Sequence, residues 1–313
     1  MLLETENLKM EYNQKVLSEY EVNRVGGDGK GKDFVKPQDI SLFQERLFEN
    51  LSYFADFCET YNIKYCLSAG TCLGAVREND FIPWDDDLDV AVLREDFDKL
   101  FELWDIYGDK DRFSLCRTTK HHCANVPIGL LRNKYTTYVR EYEKNDSHAA
   151  HGVKIDIEPM DEVTSDPLKR RIQYIFGQIY ALFLTQREPR QCSKTLRIGS
   201  SILLKIFKGK SIRYAIIKLC EKQVKKYNGT GCEKVAINAV DYEMFRKDLV
   251  YTVEMEFHGR KFNVPGNYGE YLKNAYGEYT RKPPVEKRKP LDTPVFYDLN
   301  TSFKEYNLEW EKG

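Results

Sequence analysis

The sequence predicts a mixed α/β fold in which helices flank a sheet, with a basic helical insertion in the second half. Short apolar segments alternate with amphipathic helical segments up to about residue 166, which is the pattern of helices packing on a sheet. Residues 167–227 then show helical periodicity throughout. An acidic run within residues 81–90 interrupts the first part, although its neighbours are apolar. These features decide the fold class and locate the expected chemistry.

The elements follow from local pattern. Apolar residues at helical spacing predict a first helix over 38–61, which includes Leu47, Leu51 and Phe54. A short strand over 64–68 leads through a glycine-bearing turn, residues 69–71, into a short helix over 72–78. A helix is predicted at 95–104, and extended segments at 88–93, 113–117, 128–132, 136–140, 151–157, 234–240 and 249–257.

A chain of 313 residues can bury a full core, either as one large domain or as a domain with an insertion. We divide it into a polar N-terminal segment (1–36), a core (37–166), a basic helical insertion (167–230) and a C-terminal part of the same domain (231–313). The sequence contains no run of about 18 apolar residues, so we expect no membrane-spanning segment.

Cysteine usage and the first residues indicate the compartment. The eight cysteines include no Cys-x-x-Cys pair, and the sequence begins Met-Leu-Leu-Glu-Thr-Glu, which is charged at once. Both features predict a reducing cytoplasm and no signal peptide. The alternative to scattered, unpaired cysteines is a zinc site. Its candidate ligands, at irregular spacing, are Cys116, His121, His122 and Cys123.

The net charge of −1 hides a strong asymmetry. Fifteen Lys and Arg oppose only Glu188 and Glu221 between Lys169 and Lys226, so this segment carries +13 and the remainder −14. Basic and apolar residues alternate over 201–210 and 212–225, as they do in helices that lie on a membrane surface. A solvated helical hairpin is the alternative. We expect no nucleic-acid partner, because no reader motif is present.

The acidic run places four carboxylates within five positions, from Asp85 to Asp89. In a strand, Asp87 and Asp89 would leave the same face and offer oxygen ligands to Mg²⁺, with Mn²⁺ as an alternative. A solvated loop and a helix cap are the simpler interpretations. A calcium loop would need Gly and Glu at positions occupied here by Val90 and Asp96.

Two further pieces are predicted to join this run. Ser68, Gly70 and Thr71 form a strand-to-helix turn, where a backbone can approach phosphate and a helix N-terminus favours anions. Asp156 lies between two isoleucines on a predicted strand that could lie beside the acidic strand, and burial there is costly unless the carboxylate is paired or ligated.

The order of these pieces resembles the nucleotidyltransferase fold, and longer stretches of the chain resemble the LicD family of phosphotransferases, which includes fukutin-like proteins. The similar stretches are residues 70–77, 81–89, 152–161, 265–272 and 276–284. The chain departs from the usual family pattern at Ala69, where a glycine is usual, and at Glu158, where a phenylalanine is usual. Neither departure removes a predicted metal ligand, but Glu158 could alter the choice of acceptor.

The resemblance implies transfer of a phospho-alcohol from a CDP-linked donor to a glycan hydroxyl, with phosphocholine as the best-known group. It implies Mg²⁺ on Asp87 and Asp89, with Asp156 either completing the metal site or taking the hydroxyl proton. Substrate contacts are predicted from charge and position for Arg77, Asp85 and Arg132. A quaternary ammonium would need aromatic rings, for which the candidates are Trp84, Tyr268, Tyr271 and Tyr276.

Two other functions stay open from the sequence. A nucleotidyltransferase would use the same aspartates but attack the α-phosphorus of a nucleoside triphosphate. A glycan- or nucleotide-binding scaffold would keep the fold without the reaction, although intact Asp87, Asp89 and Asp156 favour an enzyme.

The basic insertion would hold the enzyme against the inner leaflet, near a lipid-linked glycan acceptor.

Overall fold

The computed structural model describes residues 39–140, 143, 146, 149–188, 193–288 and 294–306, without the side chains of residues 241 and 287. The predicted polar segment 1–36 lies outside these residues. Within them the helices are α1 Ile40–Thr60, α2 Ala69–Glu78, α3 Arg94–Tyr107, α4 Pro167–Thr185, α5 Lys194–Ile206, α6 Lys210–Val224, α7 Arg246–Val250 and α8 Tyr268–Tyr276.

The strands confirm the mixed α/β class. They are β1 Tyr65–Leu67, β2 Asp89–Leu93, β3 Phe113–Cys116, β4 Gly129–Asn133, β5 Thr137–Arg140, β6 Lys154–Val163, β7 Lys234–Ile237, β8 Asp241–Phe245, β9 Val253–Phe257, β10 Arg260–Val264 and β11 Pro294–Asp298. The main sheet has the order β1-β2-β6-β4-β3, and β7 and β8 extend it beyond the end of β6. Only β2 and β6 run parallel among its described pairs.

The principal core lies between α1 and the sheet. Leu47, Leu51 and Phe54 are buried on the sheet-facing side of α1, as their spacing predicted. Asn50 on the same side donates its amide to the Val153 carbonyl at 2.9 Å, which fixes α1 over the start of β6. The strand that carries Asp156 is therefore held from one side by a long, well-packed helix.

A smaller core joins the helical insertion to the sheet. Tyr180 and Phe183 of α4 pack with Ile217 and Val224 of α6 and with Ala236 of β7. The helical character predicted for 167–227 is confirmed in its described part. No helix in the described part of the chain is long and apolar enough to cross a membrane.

Several predicted boundaries were wrong; strand β7, for example, ends at Ile237 rather than at 240. Helix α2 begins at Ala69 rather than 72, because Ser68 is extended and Ala69 turns the chain within one residue at φ +45°. Residues 249–250 belong to α7 and are not extended. Strand β6 continues past Pro159, beyond the end predicted at 157. Pro159 falls between the residues that pair with β4 and those that pair with β7, so the missing N–H of this proline removes no hydrogen bond from either pairing.

Candidate active site

The parallel pairing of β2 with β6 creates the site. Asp89 is the register partner of Asp156, so the two side chains leave the same face of adjacent strands. The backbone N–H of Asp156 donates to the Leu88 carbonyl at 2.8 Å and extends the pairing by one step. The structure thus confirms that the strand of Asp156 lies beside the acidic strand.

The acidic run precedes β2 rather than forming part of it, with the exception of Asp89. Its burial nevertheless alternates: Asp86 and Leu88 are 3% and 1% exposed, whereas Asp85, Asp87 and Asp89 are only partly buried. Burial thus separates Asp86 from the other three carboxylates, although its charge contributes to raising the pKa of Asp85. The accessible cluster therefore contains three of the four carboxylates of the run, namely Asp85, Asp87 and Asp89.

The charges of this cluster are poorly balanced. Burial raises the pKa of Asp85 well above its usual range, and the adjacent, hydrogen-bonded Asp87 raises it further, against a smaller opposing effect of Arg77. Burial also raises the pKa of Asp89, followed by the charges of Asp87, Glu158 and Asp156, while Lys154 acts in the opposite sense. Placing these carboxylates close together raises the free energy of the folded protein, and a bound cation would offset that increase.

Side-chain hydrogen bonds join the start of α2 and the residue before it to β2 and β6. The Asp89 N–H donates to Thr71 Oγ1 at 2.9 Å, and Ser68 Oγ donates to Glu158 Oε2 at 2.6 Å. Gly70 brings the backbone so close that a Cβ there would lie 2.8 Å from Asp85 Oδ2. The predicted strand-to-helix turn and the acidic run therefore form one structural unit.

We expect Gly70→Ala to reduce turnover about ten-fold or more, with little change in stability. A new Cβ would meet a carboxylate oxygen at the end of the flexible Asp85 side chain. This side chain can move aside at little cost in stability, but it would then lose its position in the cluster. Gly199→Ala in α5 is the matched control, since a Cβ there meets nothing within 4 Å. That control should gain about 0.5–1 kcal/mol of stability without loss of activity. Unchanged turnover in Gly70→Ala would contradict the assigned role of Asp85.

Arg77 offers a donor beside the cluster. Its Nε donates to Glu78 Oε1 at 2.8 Å and its Nη1 to the Tyr279 carbonyl at 3.2 Å. Its Nη2 is buried and has no hydrogen-bond partner among the described residues. A buried guanidinium nitrogen without a partner is suited to receive a phosphate oxygen when substrate binds.

The four candidate aromatic residues are placed differently. Tyr276 is 42% exposed, and the charges of Asp89, Asp85 and Asp87 contribute to raising its pKa, after burial and Tyr242. Trp84 is partly buried and has the Arg288 guanidinium 5.4 Å above its ring. Tyr268 packs partly buried against the core. Tyr271 is buried, and its hydroxyl accepts the Ala69 N–H at 2.9 Å. Tyr276 is the ring most clearly brought to the acids.

Arg132 is not presented to the cluster surface. It is 2% exposed and pairs with Glu143 at 2.7 Å, and Arg140 contacts the same carboxylate. Two guanidinium groups hold the pKa of Glu143 well below its usual range despite burial. Direct contact of Arg132 with a donor stays a prediction, and its observed partners indicate support of the strand that flanks β6.

Of the two neighbours of Asp156 on β6, sequence reasoning missed Lys154 and noted Glu158 only as a departure from the family pattern. Lys154 and Glu158 lie two residues to either side on β6, so all three side chains leave one face. Lys154 Nζ lies 2.6 Å from Asp156 Oδ1. Burial raises the pKa of Glu158 to about 8, with Asp156 and Asp87 adding to the rise and the Ser68 hydrogen bond opposing it. The alternation Lys-x-Asp-x-Glu was the available signal.

The carboxylates suit a hard divalent cation in their chemistry, but they do not form a ready-made cage. No three carboxylate, imidazole or thiol groups among the described residues are arranged to hold a metal. Mg²⁺ usually binds proteins through one or two carboxylates and completes its shell with water and substrate phosphates. Asp87 and Asp89 fit that use, and the metal assignment stays a prediction.

Two cavities lie elsewhere, along the loop that follows β3. Their volumes are about 350 and 450 Å³, and residues of α6 line both. The second contains His121, His122 and Cys123, but His122 bonds Asp146 at 2.9 Å and Cys123 Sγ faces the Leu184 carbonyl. The zinc alternative is therefore not supported within the described chain.

Comparison with known proteins agrees with this geometry. Residues 62–163 match the model of the LicD/FKTN/FKRP nucleotidyltransferase domain, which spans β1 to the end of β6 and contains the whole acidic cluster. The chain is 28% identical over 269 residues to the lipopolysaccharide cholinephosphotransferase LicD of Haemophilus influenzae, covering 80% of this chain and 94% of that protein.

Two uncharacterized proteins share a shorter stretch. They come from Rickettsia prowazekii and Rickettsia typhi, and each is 57% identical over 35 residues, or 11% of this chain. These short matches cover 13% and 11% of the two Rickettsia proteins, so they add nothing on the rest of the fold. The domain match, the long similarity to LicD and the acidic cluster lead to one conclusion: residues 62–163 form a nucleotidyltransferase domain of the LicD/FKTN/FKRP type.

Proposed function

We propose that the protein transfers a phospho-alcohol, with phosphocholine favoured, from a CDP-linked donor to a glycan hydroxyl and releases CMP. The observation that carries the proposal is the register of Asp89 with Asp156, because it gathers the acidic run and an isolated strand acid on one face. The name of the Haemophilus influenzae relative supports the transferred group. The reaction would take place in the cytoplasm, on a precursor of lipopolysaccharide, teichoic acid or capsule.

In the proposed reaction the acceptor oxygen bonds to the donor's β-phosphorus, and the bond from that phosphorus to the oxygen bridging the α-phosphate breaks. CMP leaves with that oxygen. Asp87 and Asp89 would hold Mg²⁺, which supplies neutralisation of the phosphate charge when bound. Arg77 would bind a phosphate oxygen through its unpartnered Nη2.

Asp156 would take the proton of the attacking hydroxyl. Its Oδ1 lies 2.6 Å from Lys154 Nζ, and its register with Asp89 places the carboxylate on the cluster side of the sheet. Tyr276 would line the space over the acids. The Arg288 guanidinium lies 5.4 Å from the centre of the Trp84 ring, and this contact supports Trp84 as a candidate for binding a choline headgroup.

Nucleotidyl transfer is the principal alternative, since the same carboxylates could serve attack on an α-phosphorus. Other CDP-linked alcohols, such as ribitol, glycerol or ethanolamine, are alternatives for the donor. A binding scaffold would show neither reaction.

The test is incubation with Mg²⁺ and either a panel of CDP-alcohols or nucleoside triphosphates, followed by chromatography of the nucleotides. We expect slow CMP release even without acceptor, fastest from CDP-choline. Preferential release from another CDP-alcohol would change the donor assignment alone. Pyrophosphate release from a triphosphate would replace the proposal with nucleotidyl transfer, and no turnover of either class would favour the scaffold.

A further inference from the structure

Helix α5 exposes a stripe of isoleucines that the described part of the chain leaves uncovered. Ile198, Ile202 and Ile206 recur every four residues, which places them along one side of the helix. They are 61%, 50% and 66% exposed. Single exposed apolar residues are ordinary, but an aligned series on one helix is typical of a surface that contacts something else.

The two neighbouring helices of the insertion show the same feature on their outer sides. Helix α4 exposes Leu168, Ile172 and Ile175, and helix α6 exposes Ile212 and Leu219. Both helices bury a different side in the smaller core, through residues such as Tyr180 and Ile217. Their outer apolar residues are therefore additional to what folding requires. We call the eight exposed residues on α4, α5 and α6 the insertion face.

Cations accompany the insertion face. Lys205 lies three residues after Ile202 on α5 and is exposed, as are Lys208 in the connection to α6 and Lys210 at the first position of α6. These three lysines form no ion pair with any described residue. The segment carries +13 while the rest of the chain carries −14. The protein is thus strongly polarised, with its apolar exposed helices at the positive end.

We propose that the insertion face docks on an anionic lipid bilayer, with α5 lying in the interface and its isoleucines inserted among the lipid chains. Apolar insertion combined with attraction of lysines to acidic headgroups is the known basis of such binding. A second copy of the chain is a poorer occupant, because two faces of +13 would repel each other. Nucleic acid would use the lysines but leave the isoleucines without a role.

The docking helices are attached to the rim of the candidate active site. Arg170 of α4 donates to Glu243 at 2.9 Å and to the Ala239 carbonyl at 2.9 Å, in the hairpin formed by β7 and β8. Tyr242 precedes Glu243, and it contributes to the raised pKa of Tyr276 beside the acids. Helix α4 is therefore joined directly to the β7–β8 hairpin by the side of the helix that does not carry the insertion face.

The test is co-sedimentation of the full chain with vesicles of phosphatidylcholine alone and with phosphatidylglycerol added, at low and high salt. We expect binding only to the anionic vesicles, weakened by salt. Ile198→Asn and Ile202→Asn together should weaken it about ten-fold or more, because each removes an inserted apolar side chain. Ile106→Asn is the matched control: Ile106 is an isoleucine of α3 that is 70% exposed, outside the insertion.

Three outcomes would overturn the proposal: no binding to anionic vesicles at low salt, binding that the double variant leaves unchanged, or a vesicle-independent dimer that the double variant dissolves. Lys205→Glu with Lys208→Glu provides a second variant pair, expected to lose binding to anionic vesicles with circular dichroism unchanged. The measurement needs no turnover, so its failure would leave the proposed reaction untouched, and failure of the reaction would leave the docking face standing.

Discussion

Asp89→Asn is expected to reduce CMP release by about 10³-fold or more while leaving the protein equally stable or more stable. The loss of turnover follows because Asp89 is both a predicted metal ligand and the register partner of Asp156, and removing charge stabilisation of that kind costs several kcal/mol of barrier. The stability should not fall, because burial and three neighbouring acids already disfavour the ionised carboxylate. Relief of that repulsion is expected to contribute about 1 kcal/mol.

Thermal denaturation and nucleotide chromatography on the same preparation measure both effects. Asp105→Asn is the control, since Asp105 is an exposed carboxylate of α3, distant in sequence from the cluster. It should change neither quantity by much, as is usual for surface substitutions. A destabilised Asp89→Asn variant with proportional loss of activity would indicate a structural carboxylate and contradict the assignment.

The largest effect on stability is expected at Arg94. Its guanidinium bonds both oxygens of Asp161, at 2.9 and 2.6 Å, and also Asn238 Oδ1 at 2.8 Å. Arg94 and Asp161 are 5% and 0% exposed, and Asn228 adds a further donor to the carboxylate. Arg94→Ala would leave a buried carboxylate without its counter-charge, and we expect a loss of about 3–5 kcal/mol of unfolding free energy.

Urea denaturation measures this loss against a surface pair in the same protein. Lys261 and Glu254 lie 3.8 Å apart on exposed side chains, so Lys261→Ala should change stability by about 0.5 kcal/mol or less. The double replacement Arg94→Met with Asp161→Leu should be far less harmful than Arg94→Ala, because no charge stays buried alone. A loss below about 1 kcal/mol in Arg94→Ala would mean that water reaches the pair.

Several parts of this architecture were predictable from local pattern. The spacing of Leu47, Leu51 and Phe54 predicted α1. The β-branched neighbours of Asp156 indicated its strand. Each of these inferences needs only a few consecutive residues and the period of a helix or strand.

Other features depend on contacts between distant segments, which local pattern does not contain. Arg94 and Asp161 are 67 positions apart, and nothing near either residue indicates the other. The continuation of β6 past Pro159 depends on where β4 ends and β7 begins. The burial of Arg132 follows from Glu143, whose role is evident only once the strands are placed.

The helix start at Ala69 illustrates a third limit. A left-handed alanine is unfavourable by local preference, so the sequence favours a longer turn before the helix. In the structure the Ala69 N–H is bonded by the Tyr271 hydroxyl, from a helix two hundred residues later in the chain. Tertiary contacts therefore hold the residue in a conformation that its own neighbours do not predict.

The most direct test of the central claim is the affinity for CDP-choline, measured by calorimetry with saturating Mg²⁺ and with EDTA. If Asp87 and Asp89 hold a metal that the donor diphosphate completes, Mg²⁺ should tighten binding at least about ten-fold. Asp89→Asn should lose that gain and bind as the wild type does in EDTA. Equal affinity with and without Mg²⁺ in the wild type would contradict a metal-centred site at the Asp89–Asp156 pair.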